Sequence, residues 1–355
     1  MHQPHLDFAL ALHRRLPAAG NLPWSPYSVA SALGIAAAGA RSDTYHQLAA
    51  ALAPGGALDE LGRMLAGSAE PREAEVAVAN TLWMRAGWHF LDEYQRQVRD
   101  WPGGTVRSAD FAGDPDGARV EINEDVARTT RGLVRDLLAE GVIHRDVVAV
   151  IVNALYLKVA WLNPFEEHRT VAAPFQAPSG TREVPTMRQQ ESLPYAEAGG
   201  WRMVTLPTAG DVVADVLLSD SGETVPSAEA VAALQRATRP VKVDLHLPRF
   251  RVEAASTLND HLRHLGVIDA FDRDLADFSG ISDEGPVWIE NVIHKAVVRV
   301  DEQGFEGAAA TAVVMRTISM DISEPVPFYV DRPFLLLVRH RRSGAIYFLA
   351  QVVEP

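Results

Sequence analysis

The sequence predicts a mixed α+β fold in a single domain that spans residues 1–355. Before about residue 146 the apolar residues recur mainly at helical spacing. Beyond it they form alternating or continuous runs of strand length. No internal repeat, linker or block of like charge divides the chain. These observations indicate one α+β domain.

Five segments are predicted to be helical. Ser25 followed by Pro26 has the form of a helix N-cap with proline at the first helical position, and the pattern stops at Gly39. The segment 121–138 carries apolar residues at near-helical spacing and is closed by Gly141. The full set comprises residues 1–17, 25–39, 43–54, 121–138 and 258–265.

The remaining patterns are those of strands. The run 147–157 is almost continuously aliphatic, which predicts a strand covered on both faces. The run 292–300 alternates, with His294 on the apolar face and Lys295 and Arg299 on the other. The predicted strands are 76–84, 147–157, 241–247, 292–300 and a C-terminal hairpin of 334–338 and 346–352.

Composition excludes several classes of function. The chain has 33 Lys and Arg against 46 Asp and Glu, a net charge of −13, so nucleic acid and anionic membranes are not expected partners. It has no cysteine, which excludes disulfides and thiolate chemistry. No apolar run is long enough to span a membrane, and the N-terminus does not resemble a signal peptide. A cytoplasmic protein and a secreted one whose leader is absent from this chain both fit.

Motifs for enzymatic chemistry were not found. The sequence lacks G-x-S-x-G, the P-loop, G-x-G-x-x-G and H-E-x-x-H. His261 and His264 lie one helical turn apart but have no third ligand at metal-binding spacing. We therefore expect neither a catalytic site, nor a metal, nor a cofactor.

The connection after the strand 292–300 is unusual. Residues 302–327 form a segment longer than the roughly 12–15 residues typical of irregular connections in compact domains. It begins with small residues, continues with Val313, Val314 and Met315, and ends in a proline-rich stretch. Composition alone leaves two interpretations open, an alanine-rich surface helix and a segment able to enter a β-sheet.

Several motifs of this chain, all in one order, resemble those of the serpin (serine protease inhibitor) family in its prokaryotic type. They are SPYSVASALGIAAAGARSDT at 25–44, VNALYLKVAWLNPF at 152–165, DAFDRDLADFSGIS at 269–282, VIHKAVVRVDEQG at 292–304 and FYVDRPFLLLV at 328–338. The resemblance covers essentially the whole chain. It implies a monomer with helices packed around three β-sheets, a five-stranded central sheet and an exposed reactive-centre loop at about 302–327.

The resemblance also implies a mechanism. A serpin offers its loop to a serine protease as a suicide substrate. The cleaved loop then inserts into the central sheet and traps the acyl-enzyme. Roughly a dozen inserted residues, at about 0.5–1.5 kcal/mol per hydrogen bond, would release on the order of 10 kcal/mol. The uncleaved fold would therefore be metastable.

The hinge of this loop is assigned by the same resemblance. Its residues are Glu302, Gly304, Phe305, Gly307, Ala308, Ala309, Ala310 and Thr311. Strand alternation would put Phe305, Ala309 and Thr311 on the inward face of the sheet. Phe305 stands where inhibitory members usually carry a small residue. Its bulk could slow insertion, which leaves a non-inhibitory binding or chaperone-like serpin as the alternative.

Family spacing places the reactive bond at Ile318-Ser319, with Thr317 and Met320 as alternative positions. An aliphatic residue at the cleaved position favours chymotrypsin-, elastase- or subtilisin-like target proteases, whose primary pockets are apolar.

Further site residues lie beneath the expected insertion point. Asn153 and His294 are polar groups on apolar strands, and pairing them would satisfy both. The resemblance groups them with Ser25 and Ser28 where the sheet opens. It also places Trp161 at the top of the sheet and pairs Arg249 with Glu302; taken alone, each of these residues could be purely structural.

Overall fold

The structure, a computed structural model, describes residues 3–17, 20–305 and 324–355. Its helices are α1 Gln3–His13, α2 Pro26–Gly39, α3 Ser42–Leu52, α4 Leu58–Ala66, α5 Asp92–Val98, α6 Pro115–Thr129, α7 Ala228–Ala237 and α8 Asn259–Arg263. None of these described helices has the length and apolar character needed to cross a membrane.

The strands are concentrated in the second half of the chain, as the sequence predicts. They are β1 Leu22–Trp24, β2 Ala74–Arg85, β3 Gly104–Ala109, β4 Ala149–Ala160, β5 Val171–Ala177, β6 Gly180–Ala198, β7 Trp201–Pro207, β8 Val212–Ser219, β9 Arg239–Pro248, β10 Phe250–Thr257, β11 Ile289–Val300, β12 Gly304–Phe305, β13 Val326–Tyr329, β14 Phe334–His340 and β15 Ile346–Val352.

One sheet contains the strands around which the candidate site is built. Its order is β10-β11-β12-β4-β2-β3. Five of these strands are between 6 and 12 residues long, whereas β12 has only two residues. The five long strands match the expected central sheet. The sixth, β12, comes from the segment assigned as the loop hinge.

The remaining strands form one continuous nine-stranded sheet instead of the two further sheets that the resemblance implies. The cause is β6, which is 19 residues long. Its first part pairs with β5, its middle with β9 and its last residues with β7, so a single strand links the two groups.

Both faces of β4 are covered, as its continuous apolar sequence predicts. Ile151 and Leu155 point into the main core, which also contains most of α2. Val150 and Val152 point to the opposite face, into a smaller apolar cluster shared with Ile122 and Val126 of α6.

The predicted helix at 121–138 is placed incorrectly, because α6 runs from Pro115 to Thr129. Asp114 caps its start by accepting a hydrogen bond from the backbone N–H of Gly117 at 3.0 Å. Its end is set by Thr130, whose hydroxyl donates to the Val126 carbonyl, and by a following residue, Arg131, with a φ of 52°. The apolar residues beyond it pack from turns, which explains the misleading periodicity.

Candidate functional site

The central sheet is closed at one end and parted at the other. β11 and β4 pair directly, in parallel, from Ile289 to Lys295 of β11. Farther up, β12 lies between them, and Phe305 pairs with both Val300 of β11 and Val159 of β4. Among the described residues, no strand joins 296–299 of β11 to 155–158 of β4. We call this gap the cleft.

The turn that leads into β12 is specified by Asp301 and Gly304. One carboxylate oxygen of Asp301 accepts the backbone N–H groups of Gln303 at 3.0 Å and Gly304 at 3.2 Å. Gly304 has a φ of 149°, and a Cβ there would lie 2.2 Å from the carbonyl oxygen of Val159. A glycine is therefore required for the hinge to approach β4.

Phe305 is buried in this structure, with 2% of its surface exposed. Its ring centroid lies 5.0 Å from that of Trp161. Trp161 also holds the turn through two hydrogen bonds, from its indole N–H to the Asp301 carbonyl and from its backbone N–H to the Gln303 carbonyl, both at 2.9 Å. The bulky hinge residue is thus already accommodated at the top of the sheet.

Glu302 is a buried carboxylate, 6% exposed, with partners on two sides. It accepts a hydrogen bond from the Thr170 hydroxyl at 2.7 Å and lies 3.5 Å from the guanidinium of Arg249. Its carbonyl accepts the backbone N–H of Phe165 at 2.9 Å. Because half of the Arg249 side chain is exposed, solvent weakens that ion pair, and the hydrogen bonds do more to fix the hinge.

A row of polar side chains crosses the closed part of the sheet just below the cleft. In the strand register Asn80 of β2, Asn153 of β4 and His294 of β11 lie side by side. Asn153 donates to the Asn80 side-chain oxygen and to the Ser28 hydroxyl, and its own oxygen contacts Nδ1 of His294. The Asn80 amide donates to the Pro102 carbonyl at 2.9 Å.

The start of α2 completes this cluster. The Ser25 hydroxyl accepts the backbone N–H of Ser28 at 3.0 Å, as an N-cap does. The Ser25 backbone N–H donates to Nε2 of His294 at 3.0 Å. His294 therefore carries its proton on Nδ1, which donates to Asn153. Burial lowers the pKa of His294 to about 3, so the ring is neutral at neutral pH.

The structure thus brings Ser25, Ser28, Asn153 and His294 into one hydrogen-bonded group, and Trp161, Arg249, Glu302, Gly304 and Phe305 into another at the top of the cleft. Sequence reasoning missed Asn80. The signal was available, since Asn80 is a polar residue within an apolar strand, as Asn153 is.

The other assigned loop residues lie outside the described residues. They are Gly307, Ala308, Ala309, Ala310 and Thr311 of the hinge, and Thr317, Ile318, Ser319 and Met320 around the reactive bond. In the part of the chain that the structure describes, no group of three or more potential ligands is arranged to hold a metal.

Comparison with known proteins agrees with this architecture. Residues 4–355 match the family model described as "Serpin (serine protease inhibitor)". Human leukocyte elastase inhibitor is 32% identical over 370 residues, covering 99% of this chain and 97% of the relative. Serpin-Z2B of rice is 32% identical over 395 residues, covering 98% and 96% respectively. Human thyroxine-binding globulin, solved with thyroxine bound, superposes with a TM-score of 0.88 at 26% identity, covering 100% of this chain and 98% of that one.

The chain therefore belongs to the serpin family, which is described as a family of serine protease inhibitors, and relatives such as leukocyte elastase inhibitor are named as inhibitors, not as enzymes. The proteins to which it is similar thus include an inhibitor named for leukocyte elastase and a thyroxine-binding globulin.

Proposed function

We propose that this protein inhibits serine proteases as a suicide substrate, by inserting its cleaved loop between β11 and β4. The observation that carries the proposal is the position of β12. The hinge already parts these two strands at one end of the sheet, and below it the cleft contains no described strand.

The direction of β12 suits insertion. Because β11 and β4 are parallel to each other, a strand that turns back from β11 is antiparallel to both, as β12 is. Continuing its register one residue at a time would bring Thr311, six residues beyond Phe305, opposite Asn153 and His294. These two lie six residues before the partners of Phe305, Val159 and Val300. Each added residue would extend an antiparallel ladder on both sides.

The same register sets the length of the inserted strand. Met315, ten residues beyond Phe305, would lie opposite Ala149, the first residue of β4. About ten residues beyond Phe305 would then insert and release on the order of 10 kcal/mol. A reactive bond at Ile318-Ser319 leaves all of them on the inserting side, which supports that assignment over any cut before Met315.

The buried polar cluster around Asn153 and His294 would hold β11 and β4 together before the loop is cleaved. Full insertion widens the sheet by one strand, about 4.8 Å, so the contact between His294 and Asn153 has to break. Thr311 would bring a hydroxyl between them on the same face. Its donor and acceptor could replace part of the lost contact.

The proposed targets are elastase-, chymotrypsin- or subtilisin-like proteases. Ile318 would fit an apolar primary pocket, and four relatives, the human one among them, are named for leukocyte elastase. The test is incubation with one protease of each type, followed by denaturing electrophoresis and mass spectrometry of the released fragment. We expect an SDS-stable complex and cleavage after Ile318.

Ala309→Arg tests insertion separately from target recognition. In the continued register Ala309 lies opposite Ala296 and Leu155, both fully buried in the main core, so an arginine would force a charge into it. We expect this variant to be cleaved as an ordinary substrate. The control Ser323→Arg puts the same side chain beyond the reactive bond, where it should leave trapping intact. Stoichiometric inhibition by Ala309→Arg would contradict the proposal.

A non-inhibitory binding or chaperone-like role is the second candidate. The likeness to thyroxine-binding globulin favours it. Clean cleavage of the wild-type loop, with all three proteases left active, would support this function instead.

A further inference from the structure

A second concave site lies among the helices, away from the cleft and its hinge. It is a cavity of about 940 Å³ bordered by α2, the start of α3, α4 and the turn after α5. We call it the helical cavity. Its volume is in the range of small-molecule binding sites, which is about 300–1,000 Å³.

The floor of the helical cavity is aromatic. The half-buried Trp101 lies against α2 and α4 where both helices present glycine. A Cβ at Gly34 would be 2.3 Å from the indole, and one at Gly62 would be 3.4 Å away. The absence of side chains at these positions lets the indole pack against α2 and α4, while Trp101 remains part of the cavity wall. A planar ring in the cavity could pack against it, since aromatic pairs prefer offset or edge contacts.

The rim of the cavity is cationic on an acidic protein. Arg41, Arg63 and Arg99 line it, together with Asp59 and Asp100, so the rim carries one net positive charge against −13 for the chain. The guanidinium of Arg41 donates to the Ala38 and Ala40 carbonyls, and that of Arg63 donates to the Asp59 carbonyl.

Within the described ranges, no carboxylate lies within ion-pair distance of any of these three guanidinium groups. Other exposed arginines of this chain do have such partners, for example Arg72 with Asp211 at 2.9 Å and Arg263 with Asp260 at 2.7 Å. The Arg41 guanidinium lies against Gly280 and acts electrostatically on the carboxylate of Asp277, whereas Arg63 and Arg99 are available to an anion from solution. The planar guanidinium fork of an arginine matches a carboxylate.

We propose that the helical cavity is a binding site for a planar aromatic anion, with the ring packed on Trp101 and the carboxylate or sulfonate held by Arg63 and Arg99. An aromatic ring and a single anionic group match the two features of the wall. Neither an aliphatic chain nor an inorganic anion matches both.

The test uses 2-naphthoate as the probe and calorimetric titration of the full chain. The neutral 2-naphthamide has the same ring without the charge, and inorganic sulfate has charge without a ring. We expect naphthoate to bind at least about tenfold more tightly than either. Equal affinity for the acid and the amide, equal affinity for naphthoate and sulfate, or no measurable binding of naphthoate would each overturn the proposal.

Two pairs of substitutions, each a test and its control, locate the binding. Ala66→Trp puts an indole at an exposed alanine of the cavity wall and should abolish naphthoate binding, whereas Ala50→Trp on exposed α3 surface outside the cavity should not. Arg63→Gln should weaken binding about tenfold, and Arg96→Gln, outside the cavity wall, should leave it unchanged. If Ala66→Trp failed to fold, Arg63→Gln would still test the site. An unchanged affinity of Arg63→Gln for naphthoate would mean that the anion binds elsewhere. None of these measurements depends on protease inhibition.

Discussion

Replacing Phe305 with threonine should destabilise the native protein without speeding the trapping of a protease. The phenyl ring is 2% exposed and packs on Trp161 at a centroid distance of 5.0 Å. If its bulk were an obstacle to insertion, threonine would remove that obstacle. In the structure the ring has already entered the sheet, so threonine would remove burial instead.

The size of the effect follows from the buried surface. Truncating a buried phenylalanine costs about 3–5 kcal/mol in a rigid core. The hinge can detach instead of leaving a cavity, so we expect a smaller cost of about 2–3 kcal/mol, in the upper part of the range for burying such a side chain. With an unfolding entropy of about 2.1 cal/mol/K per residue, a chain of 355 residues should then lose about 3–4 °C in melting temperature.

The assay is thermal unfolding of the uncleaved protein, together with the number of inhibitor molecules consumed per protease trapped. Phe305→Leu is the matched control, because it keeps an apolar side chain of similar reach and should retain most of the stability. We expect the threonine variant to melt lower and to consume at least as many molecules per protease as the wild type. An unchanged melting temperature combined with fewer molecules consumed would refute this interpretation and restore the hinge as an obstacle.

Three further outcomes are expected. Cleavage in the loop should raise the melting temperature by about 10 °C or more, because insertion is expected to release on the order of 10 kcal/mol. Calorimetry of the intact and the cleaved protein checks this, and equal melting temperatures would exclude insertion. Glu306→Lys should slow the trapping of protease, because the continued register sets position 306 between Lys158 and Arg299, two like charges. The neutral variant Glu306→Gln should slow trapping less. Stopped-flow measurement of the trapping rate checks this, and equal rates for both variants would contradict the register. The pKa of His294 is about 3 when folded, so the unfolded chain binds a proton that the folded one does not as pH falls below about 6.5. As pH falls below about 6.5, the free energy of unfolding of the wild type should therefore decrease by about 1.4 kcal/mol per pH unit more than that of His294→Gln. Urea titrations over this pH range measure both proteins, and parallel profiles for the two would disprove the prediction.

Much of the fold could be predicted because its signals are local. The capping pair Ser25-Pro26 sets the start of α2, and the continuous apolar run of β4 indicated its burial on both faces. The helix predicted at 121–138 failed for a physical reason: Leu133 and Val134 are apolar because turns pack them on the sheet, not because the helix continues. Apolar spacing records which residues are buried and does not specify the backbone that buries them.

The candidate site was predictable only in part. Asn153 and His294 were found because a polar group on an apolar strand requires a partner, and they are neighbours in the register. The same logic applied to Asn80 but could not reveal that three adjacent strands align these residues in one row. The two-residue strand β12 was beyond prediction, since Gly304-Phe305 has no strand pattern and its pairing depends on partners nearly 150 residues earlier.

The two halves of the candidate site have opposite effects on the same strand separation. The hinge turn, held by Trp161 and Glu302, keeps β11 and β4 apart at the top, whereas His294 and Asn153 hold them together below the cleft. Between these contacts no strand among the described residues pairs with the edges of β11 and β4, although a buried sheet requires such ladder partners. One antiparallel segment of matching length would supply hydrogen-bond partners to the backbone groups of β11 and β4 that border the cleft. Because β12 runs antiparallel to β11 and β4, its continuation would pass down the cleft toward His294 and Asn153. We therefore expect an inserting strand to reach the polar cluster after it has filled the upper half of the sheet, and to break the contact between these two residues at that point.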